Sequence, residues 1–339
     1  MSAFAKFRSL AARLRTPRPL GVILMYHRVT SGLADPWRLC VSPGHFAEQL
    51  DVVADSWQAS GLHDLMRADR PRNEPLPVAI TFDDGYADNL HVAAPMLAQR
   101  GLPATFFVVS GMIGSGREFW WDELEGLLLR RAALPPEFTV PLPAGQQTFR
   151  AGAAAAALAD PATECAKALP WEAAADSRVG FYYGVWRALQ GVDDDARGRA
   201  LAAIRTQLEL HDAPRESHRI MTTSEVQQLA AAPRVEIGAH SVTHAALSAH
   251  DPDHQLGEMR ESKRALERMI GRTVRTFAYP YGDLSPATAR LAQSAGFELA
   301  CTTEEGCVTA RSSPFELPRI SVGDWDGPTF ARRLAEFIR

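Results

Sequence analysis

Short, unbroken apolar runs recur along this chain, and each ends abruptly in a polar turn. GVILMYH (21–27), VAITF within 77–89 and ATFFVV after the Gly-Leu-Pro turn at 101–103 are rich in β-branched and aromatic residues. Runs of this kind belong to strands buried on both faces, not to strands with one wet face. Helical stretches fall between them: HFAEQLDVVA (45–54), with Ser42 as its cap, and the segment from the Asp-Asp-Gly turn to about Arg100. Strand, helix, strand at this cadence predicts a parallel α/β architecture.

The cadence breaks at about residue 112. From 112 to 219 the sequence reads as helical and alanine-rich, with FWWDELEGLLLRRA, AGAAAAALAD and ARGRALAAIRTQLEL punctuated by Pro135, Pro136, Pro141 and Pro143. We read 112–219 as a helical insertion or lid. Alternation resumes at TTSEVQQLAA (222–231), where Thr222 and Glu225 fit a capping box. VEIGAH, TFAYP, ELACTT and ELPRISV follow as strands, separated by the helices DHQLGEMRESKRALERMI (253–270) and SPATARLAQSAGF. The expected fold is α/β: a distorted, closed or nearly closed (β/α) barrel of seven or eight strands, built from 20–111 and 220–339 and interrupted by the insertion. In such a barrel the C-terminal strand ends face one common pocket.

Composition removes several classes. A net charge of −4 and the lack of a basic stripe interleaved with aromatics argue against nucleic acid as a partner. Cys40, Cys165, Cys301 and Cys307 lack CxxC spacing, which fits free thiols in a reducing compartment better than a disulfide framework. Residues 1–19 carry five Lys or Arg and no acid, without the apolar stretch of a secretory signal or a membrane span. Phe4, Phe7, Leu10 and Leu14 recur at helical spacing, so 1–19 reads either as a basic tail or as a helix on an anionic membrane surface. The expected location is the cytoplasm, at or near the inner face of the membrane.

The polar strand ends carry the candidate chemistry. In TFDDG, Asp83 and Asp84 point different ways because side chains alternate along an extended backbone, which suits one acid to a metal and the other to base work. A lone Asp-Asp-Gly is also an ordinary exposed turn. In HSVTH, His240 and His244 stand at i and i+4, on one face of a helical turn and close enough to share an ion. With Asp84 they make a two-His, one-carboxylate set that leaves positions open for water and substrate. That set suits zinc and also iron, cobalt, nickel or manganese. YPYGD (279–283) forms a rigid turn able to present a backbone N–H; it reads equally as a plain βα turn.

TFDDG, HSVTH and YPYG, in that order and each closing an apolar strand, resemble the polysaccharide deacetylase family, the carbohydrate esterases with a NodB-homology domain. The resemblance covers roughly 20–111 and 220–325. It implies a divalent-metal hydrolase, most simply a zinc enzyme, that removes the N-acetyl group of a sugar. It further implies Asp83 as general base, Asp84, His240 and His244 as metal ligands, and the backbone N–H of Tyr281 as oxyanion donor. Two departures stand out. Ala278 occupies the place of a frequent motif arginine, for which Arg319 in LPRI is the candidate substitute, a structural salt bridge being the other reading. The family's C-terminal Leu-x-His element, source of its general acid, is not visible. ILMYHRV resembles the N-terminal Tyr-His element of the rearranged exopolysaccharide-deacetylase subgroup, which gives His27 the acid's role. Expected partners are an N-acetylated sugar, a lipid-linked glycan or a polysaccharide. Cleavage of an O-acetyl ester or of a cyclic amide on the same fold is the nearest alternative, and an inactive sugar-binding module the next. Trp120, Trp121, Asp122 and Trp325 are further aromatic or acidic candidates for a sugar pocket.

Overall fold

A computed structural model describes residues 19–338, apart from 33, 67–73, 157–162, 164, 166–167 and 211–212. The expected basic tail or surface helix at 1–19 thus lies outside the described residues, Pro19 excepted. Seven parallel strands follow the apolar runs: β1 (Pro19–Tyr26), β2 (Pro77–Phe82), β3 (Ala104–Val108), β4 (Val235–Ala239), β5 (Thr276–Ala278), β6 (Leu299–Glu305) and β7 (Leu317–Ser321). Each pairs with the next, and β7 returns to β1 to close the barrel. Closure is uneven. β4 and β5 share one registered pair, Ala239 with Phe277, and the β6–β7 register shifts between Cys301 and Glu305. The barrel is therefore closed, seven-stranded and distorted.

The period of two along each strand sorts side chains into two cores. Val22, Leu24 and Tyr26 of β1 and Val78, Ile80 and Phe82 of β2 pack outward against helices, among them α1 (Pro43–Ser56) through Phe46, Leu50 and Val53. Ile23, Ala79, Phe107, Ala278, Cys301 and Leu317 fill the barrel interior. Each fully buried aliphatic or phenyl side chain stabilises the fold by about 1.5–3 kcal/mol. The helix after β2 runs on through α2 (Ala94–Gln99).

Between β3 and β4 lie α3 (Trp120–Leu128), α4 (Arg178–Gln190) and α5 (Asp194–Gln207). A hairpin of Glu137–Leu142 with Gly145–Arg150 interrupts them. The all-helical reading of 112–219 missed this hairpin, because its prolines and glycine look like breaks between helices. The core of this segment, built on Leu124, Leu128, Tyr182 and Ile204, also takes in Tyr86, Val109 and Ile220 from the barrel mouth. The barrel then resumes with α6 (Thr223–Ala231), whose capping box of Thr222 and Glu225 is formed as the sequence predicts. α7 (Pro252–Ile270), α8 (Pro286–Ser294) and α9 (Gly327–Ile338) complete the outer layer. No helix among the described residues is long and apolar enough to cross a membrane. Cys40, Cys301 and Cys307 are free thiols.

Candidate active site

Period two carries the inward face of β2, Ala79 and Thr81, one step past the strand end to Asp83. On β7 the inward set Leu317 runs on to Arg319. The two meet inside the barrel mouth: Arg319 donates from Nη1 and Nη2 to the two Asp83 oxygens, both at 2.7 Å, and from Nη1 to Thr81 Oγ1 at 3.2 Å. Small inward residues, Ala79, Ala278 and Cys301, leave room for the long arginine arm. The pair is fully buried. Burial alone would raise the Asp83 carboxyl, but the Arg319 charge, helped by His240, overrides it and holds the group well below the usual carboxylate range.

Asp84 turns the other way because its backbone is left-handed, at φ 75°. A Cβ at Gly85 would stand 2.8 Å from Val108, and its φ of +91° is also left-handed, so only glycine completes this turn without strain. His240 follows β4, and its Nδ1 lies 2.7 Å from the Ala278 carbonyl. That contact makes Nδ1 the proton-bearing nitrogen and frees the Nε2 lone pair. His244 is brought back by a loop, not by the helical turn expected from the i, i+4 spacing. Ser241 (φ 62°) and His244 (φ 56°) both adopt left-handed backbone, and Tyr281 does so at φ 60°. Such strain in L-residues costs of order 1–3 kcal/mol each and gathers where function holds it.

The result is one cluster. Nε2 of His240 and Nε2 of His244 lie 3.6 and 3.4 Å from the same Asp84 oxygen, and ligand atoms of the three residues all fall within 4.8 Å of one another. Two ligands each about 2.0–2.1 Å from a tetrahedral ion stand roughly 3.3 Å apart, so the spacing fits a shared cation. Burial lowers His240 to about 4 and His244 to about 3, so both imidazoles are neutral and their lone pairs available. Burial also raises the Asp84 carboxyl, a cost that a bound cation would offset. Nδ1 of His244 has no hydrogen-bond partner among the described residues, and the ring packs against Trp121 and Tyr281.

The sequence model for polysaccharide deacetylase matches residues 70–131 and 206–300, stepping over most of the insertion. The chain resembles the polysaccharide deacetylase family over these two segments, 157 of its 339 residues. YxkH of Bacillus subtilis, which carries a polysaccharide-deacetylase assignment, is 27% identical over 105 residues, or 31% of this chain. The matched stretch spans 38% of that relative's length. The deacetylase PplD of Streptococcus pyogenes, solved with acetate, superposes with a TM-score of 0.57 at 19% identity, covering 96% of this chain and all of its own. IcaB of Ammonifex degensii superposes at 0.56 and 17% identity, covering 95% of this chain and 98% of its own. These two likenesses are of fold.

Within this deacetylase fold, the remaining expected residues also reach the mouth. His27 directly follows β1; burial lowers its imidazole against the opposing pull of Asp84 and then Asp83. Tyr281 sits in the turn after β5 with its ring 4.4 Å, edge-on, from the His244 ring. Trp325 lies apart, under the Arg333 guanidinium at 4.4 Å and against the outer core.

The sequence reading understated the insertion's part and overlooked Tyr86 and Glu258. Trp121 packs 4.6 Å from the His244 ring, and Trp120 donates its indole N–H to Tyr281 Oη at 3.0 Å. Tyr86 donates to Asp122 at 2.7 Å and accepts from Trp121 Nε1 at 3.1 Å; burial pushes the Asp122 carboxyl up to about 7. Glu258 on α7 holds the histidine loop by accepting from the Val242 and Thr243 amides, both at 2.9 Å, and from Thr243 Oγ1 at 3.1 Å. Its signal was readable: Gln255, Glu258, Met259, Ser262 and Leu266 form the buried face of α7, so a carboxylate sits on a stripe that should be apolar.

Proposed function

We propose that this protein is a divalent-metal hydrolase that removes the N-acetyl group from an N-acetylated sugar in a glycan or glycolipid. One observation carries the reading: adjacent acids part company, Asp84 joining two neutral imidazoles at 3.4–3.6 Å while Asp83 is clamped by a buried arginine. Asp84, His240 and His244 would hold the ion, with zinc favoured and cobalt, nickel, iron or manganese compatible with the same donors. A divalent ion there supplies Lewis-acid polarisation of the acetyl carbonyl and acidifies water at its open position.

The chain's own groups supply the rest. Asp83, ionised and oriented by Arg319, accepts a proton from the attacking water as its oxygen bonds to the acetyl carbon. The amide of Tyr281 donates a hydrogen bond to the oxygen that gains charge. Asp83 is only weakly basic, so the proton it takes is readily passed on. Burial lowers the His27 imidazole and leaves it neutral at rest, which suits it to take up that proton and deliver it to the leaving nitrogen. The C–N bond breaks, giving acetate and a free amine. A cytoplasmic site of action at the membrane's inner face is part of this proposal and rests on the sequence alone.

The test is acetate release, followed by mass spectrometry, from N-acetylhexosamine oligosaccharides, with O-acetylated sugars alongside. Activity should vanish in a chelator and return with zinc or cobalt. Asp83→Asn should lower turnover by about 10²–10⁴-fold, the usual contribution of a positioned base, with substrate binding retained. Chelator-resistant cleavage would sink the metal assignment, and preferential ester cleavage would move the enzyme to the O-acetyl esterases.

A further inference from the structure

Beside the candidate site lies a cavity of about 1030 Å³ between α3, α5 and the segment 213–215. Its walls carry Arg117, Arg130, Arg131, Arg197, Arg205 and Arg215 against the carboxylates Glu118, Glu123 and Asp194. Part of that charge is neutralised locally. Arg215 is engaged by Glu118, by Glu125 behind it and by the Asp122 carbonyl, Arg205 pairs with Glu123, and Arg117 pairs with Asp194 at 3.5 Å. Positive charge still exceeds negative when Glu125 is counted.

Arg197 is the exception that points to a ligand. It is 1% exposed, donates from Nε to the Leu189 carbonyl at 3.1 Å, and from Nη2 to the Gln190 and Val192 carbonyls at 3.3 and 2.7 Å. These bonds cap the C-terminal end of α4. Nη1 makes no hydrogen bond among the described residues although it is buried; the Asp194 oxygen at 3.7 Å is outside hydrogen-bond distance. Arg197 thus brings an unsatisfied buried donor to a residue that lines the cavity. The cavity also touches the chemistry. Thr243, between the two candidate ligand histidines, forms part of its wall. Trp120 stands under the Arg197 guanidinium at 4.9 Å and bonds Tyr281 from its other edge.

We propose that this cavity is the subsite for a phosphate or diphosphate carried by the N-acetylated sugar, with Arg197 Nη1 as the buried anchor and Arg130 at the exposed rim. Guanidinium groups pair with phosphate oxygens through short charge-assisted bonds, and several arginines can share one diphosphate. The volume is ample for a small-molecule site. The proposal rests on the deacetylase reading above and narrows its substrate to phosphate-linked sugars over neutral polymers.

Two measurements on the full chain test it. Calorimetry on chelator-treated protein asks whether inorganic pyrophosphate binds saturably; Arg197→Gln and Arg130→Gln should each weaken that binding about tenfold, and added salt should weaken it further. Kinetics on the zinc-loaded protein compare acetate release from a nucleoside-diphosphate N-acetylhexosamine, a polyprenyl-diphosphate N-acetylhexosamine and a neutral N-acetylhexosamine tetrasaccharide. The kcat/KM ratio of at least one diphosphate substrate over the neutral one should exceed ten and fall about tenfold in the variants; which of the two leads tells a nucleotide from a lipid carrier. Arg130 is exposed, so its variant is informative even if Arg197→Gln does not fold. Absence of saturable pyrophosphate binding, or a ratio unchanged in Arg130→Gln, overturns the proposal. Arginine-dependent pyrophosphate binding without acetate release from any substrate would instead overturn the deacetylase reading and leave the anion site standing.

Discussion

At the scale of single residues, the decisive contact is Arg319 with Asp83. Burial raises a carboxyl and a guanidinium charge lowers it; here the charge wins, and Asp83 stays ionised far into acid. A base that works ionised loses activity as pH falls through its pKa, so the parent enzyme should show no acidic limb from Asp83 near neutrality. Arg319→Lys keeps a cation but loses the two-pronged grip. The Asp83 pKa should then climb, and the acidic limb of kcat/KM should move up into the measurable range. Arg319→Met removes the charge altogether and should cost about 3–5 kcal/mol of stability, since it strands a buried carboxylate. A pH profile of kcat/KM for Arg319→Lys that keeps the parent's acidic limb would remove Asp83 from the base's role, whatever happens to the rate. The same depressed pKa has a stability consequence. The ion pair contributes above the unfolded carboxyl's pKa of about 3.9 and is lost as pH falls toward the folded value.

At the scale of elements, the strands were legible and the loops were not. The seven apolar runs announced seven strands, because a strand buried on both faces can be written in few ways. Asp83, Asp84 and His240 were legible for the same reason, each falling at a strand end. The path of His244 was not. Its loop depends on left-handed backbone at Ser241 and His244, on Ser110 and Gly111 amides bonding the Ser241 and Val242 carbonyls at 3.1 and 2.9 Å, and on Glu258 of α7. Such contacts span 15 to 131 residues of sequence and leave no local pattern. The hairpin at 137–150 was hidden likewise, its strands too polar and proline-broken to show periodicity. Glu258 yields a prediction at this scale. Glu258→Gln keeps the shape but replaces one carboxylate oxygen with an NH₂ and removes the charge that holds two amides and a hydroxyl. Metal affinity, read by competition with a chromophoric chelator, should fall about 10–100-fold, as when outer partners of metal ligands are lost. Far-UV circular dichroism should be unchanged. Equal affinity in parent and variant would mean that packing alone positions the histidine loop.

Over the whole molecule, the candidate centre joins parts of the chain that are far apart in sequence. Asp84 follows β2, the histidine loop follows β4, and the insertion's α3 packs on that loop through Trp121. The insertion cannot be a separate folding unit in any simple sense, because its core takes Tyr86, Val109 and Ile220 from the barrel. Barrel and insertion should therefore unfold together, and an ion held only by the native cluster should stabilise both. At a metal concentration 100-fold above its dissociation constant, that gain is about 2.7 kcal/mol. With an unfolding entropy of roughly 2.1 cal/mol/K per residue, the midpoint of a chain this long should rise by about 4 °C. Scanning calorimetry of chelated and zinc-loaded protein measures it directly. One transition should move as a whole, and in Asp84→Asn it should stay where the chelated parent melts. If the variant shifts with zinc as far as the parent does, the ion is bound somewhere else. If the endotherm splits and only one part moves, the shared core around Tyr86 does not couple the insertion to the barrel.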